Sequence, residues 1–312
     1  MRSSRFTIVG IGEALYDVFP QREVIGGAPL NAVVHAQQLG QPFDARGVLV
    51  SRVGQDAMGQ RLLDELRDRG LSLDVMQTDP DNPTGRVYVD LDADGHPTYD
   101  IVEHVAWDVI QFDFDLEDLA RQCHAICFGS LAQREGQSRN TIYRFLDLAP
   151  RQVKLFDVNL RPPYFDRNVL ERSCERASIV KLNSDELPVV MRTLRLPAEG
   201  DEAQQCETLR KAFKLEWVVL TRGALGTAIQ TGKQFVQGEP ARFDRADDAD
   251  SVGAGDSVTA AILVGRLLQR PVQQIADYAN QVGAFVASQP GATPAMPDEI
   301  VGRIRHVCGN DQ

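Results

Sequence analysis

Short apolar runs alternate along the chain with longer stretches whose apolar positions recur every three or four residues. Runs at 6–9, 47–50, 125–128, 153–158, 178–182 and 217–220 predict strands. The longer periodicity at 30–39, 57–69, 139–149, 203–213, 255–268 and 272–285 predicts helices. Strands that alternate with helices predict βαβ units and a mostly parallel sheet covered on both faces, a three-layer α/β/α arrangement. The run VKLFDV is apolar enough for the centre of such a sheet. One stretch breaks the rhythm. From 84 to 101, Val87, Val89 and Leu91 alternate with polar or aromatic partners, and Asp94-Gly95 is a hairpin turn signal. This predicts an antiparallel hairpin set into a parallel fold, either an edge decoration or a cover over a site.

Several predicted strands end in polar and glycine-rich turns, where open α/β sheets bind ligands. The turn Asp250-Ser-Val-Gly-Ala-Gly-Asp256 runs directly into an amphipathic helix. The small residues Gly253, Ala254 and Gly255 allow backbone N–H groups to converge at a helix N-terminus, which favours an anion. Asp256 falls in the first helical turn. A carboxylate there is expected to have a low pKa and to stay ionised. Gly26-Gly-Ala-Pro-Leu-Asn31 opens another helix, where Asn31 offers a donor and an acceptor or simply caps it. Asp17 is an acid in an apolar run. Asn183-Ser-Asp-Glu186 follows a strand and has the spacing of a capping box. Asp157-Val-Asn-Leu-Arg161 and Thr221-Arg-Gly-Ala-Leu-Gly226 end two further strands.

Charge narrows the ligands. A net charge of −11 with no basic run disfavours nucleic acid. The short apolar run after Arg5, broken by Gly10, Gly12 and Glu13, is neither a signal peptide nor a membrane span. The charged stretch 242–250 reads as a solvated loop. Five cysteines, with only Cys123 and Cys127 close, lack a zinc spacing and suit free thiols in a reducing cytoplasm. No GxxxxGK[ST] occurs. Gly10-Ile-Gly12 is not a dinucleotide fingerprint, because Leu15 takes the third glycine position and Glu13 and Asp17 would repel a pyrophosphate. No GxSxG elbow is present.

Together these segments resemble the ribokinase-like, or phosphofructokinase-B-like, carbohydrate kinases over essentially the whole chain. DSVGAGD (250–256), GGAPLN (26–31), the G-x-D-x-x-G of Gly54, Asp56 and Gly59, and NSDE (183–186) match the family motifs in order and separation. The resemblance implies a single domain over 1–312, with a large α/β/α body and a small β lid formed by 13–26 and 84–102. It implies an ATP-dependent kinase with Asp256 as the base and the N–H groups of Gly253, Ala254 and Gly255 as an anion hole. Asp17, Gly27 and Asn31 would bind the sugar, with Tyr88, Tyr99, Ile101 and Arg161 bearing on acceptor choice. Asn183, Thr221, Gly223, Gly226 and Asn280 would line the nucleotide site, with Glu186 acting on Mg²⁺ through water. Many members also hold a monovalent cation, usually K⁺. Asp250, the Val252 carbonyl and the loop around Gly291 match that element, although Ala295 stands where some members have serine. Ser251 replaces the commoner threonine. GEALYDVFP, GGAPLN and DVNLRPP look most like fructokinases. Ribose, a nucleoside or 2-keto-3-deoxygluconate remain alternative acceptors, and a silent sugar- or nucleotide-binding protein is a rival of another class. The partners expected are the sugar and ATP, in the cytoplasm, with a homodimer left open.

Overall fold

A computed structural model, describing residues 5–91 and 97–306, places the six predicted apolar strands in one sheet. In chain order the strands are β1 (Phe6–Ile11), β2 (Leu15–Phe19), β3 (Arg22–Gly26), β4 (Ala45–Val50), β5 (Arg52–Gly54), β6 (Gln77–Asp79) and β7 (Gly85–Leu91). They continue with β8 (Pro97–Ile101), β9 (Ala125–Gly129), β10 (Val153–Asp157), β11 (Ile179–Asn183), β12 (Trp217–Thr221), β13 (Thr227–Thr231) and β14 (Phe235–Gln237). The helices are α1 (Ala28–Gly40), α2 (Ala57–Asp68), α3 (Phe114–Gln122), α4 (Gly136–Asp147), α5 (Arg167–Arg176), α6 (Glu186–Thr193), α7 (Glu202–Phe213), α8 (Ala254–Leu267), α9 (Val272–Val286) and α10 (Asp298–His306).

The main sheet has the order β14-β13-β12-β11-β10-β9-β1-β4. It is parallel from β4 to β12, and β13 and β14 are antiparallel at one edge. Alternate side chains of each strand enter opposite cores. Val9, Val50, Phe128, Phe156 and Leu220 pack with α3 to α7 on one face. Ile8, Leu49, Cys127, Leu155 and Val219 pack with α1, α2, α8, α9 and α10 on the other. Burial on both faces explains why these strands read as continuous apolar runs. Cys123, Cys127, Cys174 and Cys206 are buried free thiols, and Cys308 lies outside the described residues. No helix among the described residues is long and apolar enough to cross a membrane.

A second, four-stranded sheet has the order β3-β2-β7-β8. The predicted hairpin is its β7–β8 pair, with Val87 opposite Ile101; the Asp94-Gly95 turn lies outside the described residues. A second hairpin, β2–β3, joins it through parallel pairing of β2 with β7. The G-x-D-x-x-G segment is the joint between this sheet and the body. Asp56 caps α2 by accepting the Gly59 N–H at 2.7 Å, and it also receives the N–H and hydroxyl of Thr84 at the start of β7. A side chain at Gly59 would collide with the Gly54 carbonyl.

Candidate active site

Two cavities meet at the N-terminus of α8. The first, of about 680 Å³, lies between the small sheet and the body. The small sheet contributes Leu15, Asp17, Phe19, Val87, Val89 and Ile101, and the body contributes Glu13, Gly27, Asn31, Asn159, Arg161, Gly253 and Asp256. The second, of about 560 Å³, lies between the turn after β12 and α9, and is lined by Thr221, Gly223, Gly226, Thr227, Ala279 and Asn280 among others. Ser251 and Gly255 line both.

The turn between the cavities is built by Gly253. It caps α8 at φ 75°, and a Cβ there would run into the Ala292 carbonyl, so only glycine fits. Gly255 differs. It is helical, and a Cβ would find Lys181 Nζ as its nearest neighbour at 3.5 Å, an ordinary contact. Its small size matters because it faces both cavities. The Ala254 N–H turns back onto the Ser251 carbonyl at 3.3 Å. The expected trio of inward N–H groups is therefore reduced to those of Gly253 and Gly255, which have no acceptor among the described residues.

Asp256 accepts an N–H from the Asn31 side chain at 2.8 Å. Asn31 sits inside α1 and caps nothing, since the cap position is Gly27 at φ 114°, packed on the Glu13 carbonyl. Burial raises the Asp256 carboxyl to about 6, and the charge of Asp157 adds to this, against Asn31, Lys181 and Arg161. The low pKa expected at a helix N-terminus is thus overturned, because loss of water outweighs the helix dipole. The sign for a base follows directly: kcat/KM is expected to fall as pH drops through about 6, and a profile flat from pH 7 to 4.5 would exclude Asp256 as the base.

Beneath Gly255 lies a buried ion pair absent from the sequence-level expectations. Lys181 Nζ donates to Asp157 Oδ2 at 2.7 Å, and the Thr259 hydroxyl donates to the same oxygen at 2.7 Å. Burial acts to lower the Lys181 pKa, but Asp157, with Asp256 and Glu186 nearby, holds it above its ordinary value. Its signal in the sequence is a lysine inside the apolar strand β11. Glu13 was likewise missed. Its Oε1 accepts the Ala28 N–H at 3.1 Å, its Oε2 is buried without a partner, and burial raises its carboxyl to about 7. Burial also raises Asp17, to about 6; Asp256 and Asp250 add to the rise and Arg161 opposes it.

Tyr88 does not face the first cavity. Strand alternation sends Val87 and Val89 inward and leaves Tyr88 exposed on the far side, so the expectation that it touches the acceptor is corrected. The Tyr99 side chain lies outside the described residues.

In the second cavity Thr221, Gly223, Gly226 and Asn280 sit together. Both ends of the Asn280 amide are engaged, however. Oδ1 accepts the Thr227 N–H at 2.7 Å, and Nδ2 donates to the Glu239 carbonyl at 2.9 Å. Asn280 therefore shapes the wall. The stretch 242–250 is more than a solvated loop: Arg242, Phe243 and Arg245 line this cavity, with Phe243 edge-on to Phe285. Among the described residues, three arginines (Arg222, Arg242 and Arg245) and no carboxylate line it, in a chain of net charge −11. Asn183 and Glu186 line neither cavity. They cap each other: Asn183 Oδ1 accepts the Glu186 N–H at 2.8 Å, and Glu186 Oε2 accepts the Asn183 N–H at 2.9 Å. Glu186 Oε1 holds the Leu160 N–H, leaving a lone pair on each oxygen near Asp157. Asp250 accepts the N–H groups of Val252 (3.0 Å) and Gly291 (3.2 Å).

The profile described as pfkB family carbohydrate kinase matches residues 12–299. The fructokinase of Salmonella typhimurium is 26% identical over 92% of this chain and 95% of that protein. Among solved structures, an uncharacterized sugar kinase from Pyrococcus horikoshii has a TM-score of 0.79 at 25% identity, covering 96% of this chain and 99% of its own. Fructokinase from Xylella fastidiosa with bound ATP has a TM-score of 0.80 at 22% identity, covering 97% and 99%.

Proposed function

Because the chain belongs to the pfkB family of carbohydrate kinases, we propose that it transfers the γ-phosphoryl group of ATP to a primary hydroxyl of a neutral sugar, with fructose the first choice. The observation that carries this reading is the meeting of two unlike cavities at Ser251 and Gly255, one residue before a buried carboxylate. The arginine-lined cavity suits a polyphosphate, and its apolar wall of Val258, Ala279, Ala284 and Ala287 suits a base. The other cavity takes the acceptor.

In this reading Asp256 removes the proton from the acceptor hydroxyl as its oxygen bonds to Pγ and the bond to the ADP oxygen breaks. Asn31 orients that carboxylate. The N–H groups of Gly253 and Gly255, with Lys181 below, face the charge on the transferring group. Magnesium would enter with the nucleotide, and Glu186, outside both cavities with a lone pair left on each oxygen, would act on it through water. When bound, it neutralises charge on the β- and γ-phosphates. The sheet β3-β2-β7-β8 acts as a lid that excludes water from the acceptor.

Charge selects the acceptor class. Among the described residues, four carboxylates (Glu13, Asp17, Asp250 and Asp256) line the acceptor cavity with one cation, Arg161, and Arg22 pairs with one of the four, Asp250. Their acceptor oxygens suit hydroxyl donors. An anionic acceptor would meet like charge. Fructose is expected to exceed 2-keto-3-deoxygluconate and phosphorylated sugars in kcat/KM by about tenfold or more, the worth of ~1.4 kcal/mol of discrimination. Coupled assay of ADP release across these acceptors, with ribose and a nucleoside included, is the check. Preference for the keto-deoxy acid would transfer the assignment to Arg161-led carboxylate recognition.

A further inference from the structure

Asp250, Val252 and Gly291 correspond to the element that holds a monovalent cation in many carbohydrate kinases of this kind, and here their neighbours are of the wrong type. A potassium site is made of oxygen atoms converging on one point. Asp250 is surrounded by donors instead. Its Oδ1 accepts the Val252 N–H at 3.0 Å, and its Oδ2 accepts the Gly291 N–H at 3.2 Å and an Arg22 guanidinium N–H at 3.3 Å. Carbonyls of the adjoining loop also carry hydrogen-bond donors. That of Gln289 accepts the Asp250 N–H at 3.3 Å, that of Ala292 accepts His35 Nε2 at 2.9 Å, and that of Thr293 accepts Arg69 at 3.3 Å. Ala295 adds no side-chain oxygen. With the Arg22 guanidinium on Asp250 Oδ2, these residues do not fit a potassium ion; without it, that carboxylate oxygen is open to one.

We propose that the Arg22 guanidinium takes the place of that cation, neutralising Asp250 beside the phosphoryl-transfer turn, so that turnover does not depend on K⁺. An uncompensated Asp250 would oppose the arrival of a phosphoryl group one turn away at Gly253. A fixed guanidinium removes that opposition without an ion. Arg22 opens β3, directly opposite Phe19, whose ring lies 4.9 Å from the guanidinium. The carboxylate and the ring together hold the head group. The charge therefore arrives on the small sheet, the same element that covers the acceptor cavity. Arg22 is a positioning residue in this scheme, and the inference rests on the phosphoryl-transfer reading.

The test compares wild type, Arg22→Gln and Arg22→Lys with Mg-ATP and the best sugar, in K⁺ or in tetramethylammonium at equal ionic strength. Wild type and Arg22→Lys should change less than about twofold between the two cations. Arg22→Gln should lose about tenfold in tetramethylammonium, the worth of one charge-assisted hydrogen bond, and recover most of it in K⁺. The thermal midpoint of Arg22→Gln should rise with K⁺ while that of wild type does not, because an ion that binds only the folded state stabilises it. Wild type that needs K⁺ overturns the inference, as does an Arg22→Gln protein whose rate and midpoint ignore K⁺. The midpoint arm reads K⁺ binding without turnover. Absence of turnover on every sugar would count against the kinase reading alone.

Discussion

Asp256→Asn should lower kcat by a factor on the order of 10²–10⁴, the usual worth of a general base, while the KM for ATP stays near its wild-type value. The geometry makes the substitution clean. Asparagine is nearly isosteric, and its amide oxygen can still accept the Asn31 N–H that now meets Asp256 Oδ2 at 2.8 Å. Stability should not suffer. Burial raises the Asp256 carboxyl to about 6 and the charge of Asp157 opposes its ionisation, so at neutral pH the folded protein carries a disfavoured charge. Removing that charge should leave the thermal midpoint unchanged or higher. Activity lost at undiminished stability marks a functional group held under electrostatic cost. Steady-state kinetics and a melting curve on the same preparation are the measurement. A mutant with near-normal kcat would remove Asp256 from the chemistry.

Gly255→Val should abolish measurable turnover, by about a hundredfold at least, with the protein folded. The backbone accepts a side chain here, since Gly255 is helical and a Cβ would meet only Lys181 Nζ at van der Waals distance. The branches of valine would instead occupy the space shared by the two cavities. ATP binding should weaken modestly, because the Thr221–Thr227 turn and α9 are untouched. Gly253→Ala is the contrasting control. At φ 75°, with its Cβ driven into the Ala292 carbonyl, it should cost about 1–3 kcal/mol of stability. Calorimetry and kcat separate the two cases. Turnover intact in folded Gly255→Val would show that no group passes through this junction.

The parts legible in the sequence share a physical reason. Strands buried on both faces leave long apolar runs, so β1, β4, β9, β10, β11 and β12 are visible. Gly253 is visible because its backbone, at φ 75° against the Ala292 carbonyl, admits only glycine, and Gly255 and Asp256 stand out beside it at the start of α8. Other elements left fainter marks. α5 buries Val169 and Leu170 but also Ser173 and Cys174, which dilutes its apolar stripe among charged residues. β13 buries Thr227, Gln230 and Thr231, and local hydrogen bonds satisfy Gln230 and Thr231. The orientation of Tyr88 follows from register, which one strand alone does not fix. The Lys181–Asp157–Thr259 cluster joins residues up to 102 positions apart and appears only once β10, β11 and α8 are packed together. The raised pKa of Asp256 was invisible for the same reason: proximity to a helix N-terminus can be read along the chain, whereas burial cannot.

The central claim is that phosphoryl transfer takes place where the two cavities meet. Phosphorus NMR of wild-type protein with Mg-ATP and fructose, run beside Asp256→Asn, tests it most directly. The account predicts a sugar phosphomonoester appearing in step with ADP for wild type, and neither within the same time for the mutant. ATP bound but unconsumed with every neutral sugar, or ADP formed with inorganic phosphate and no phosphomonoester, would contradict it.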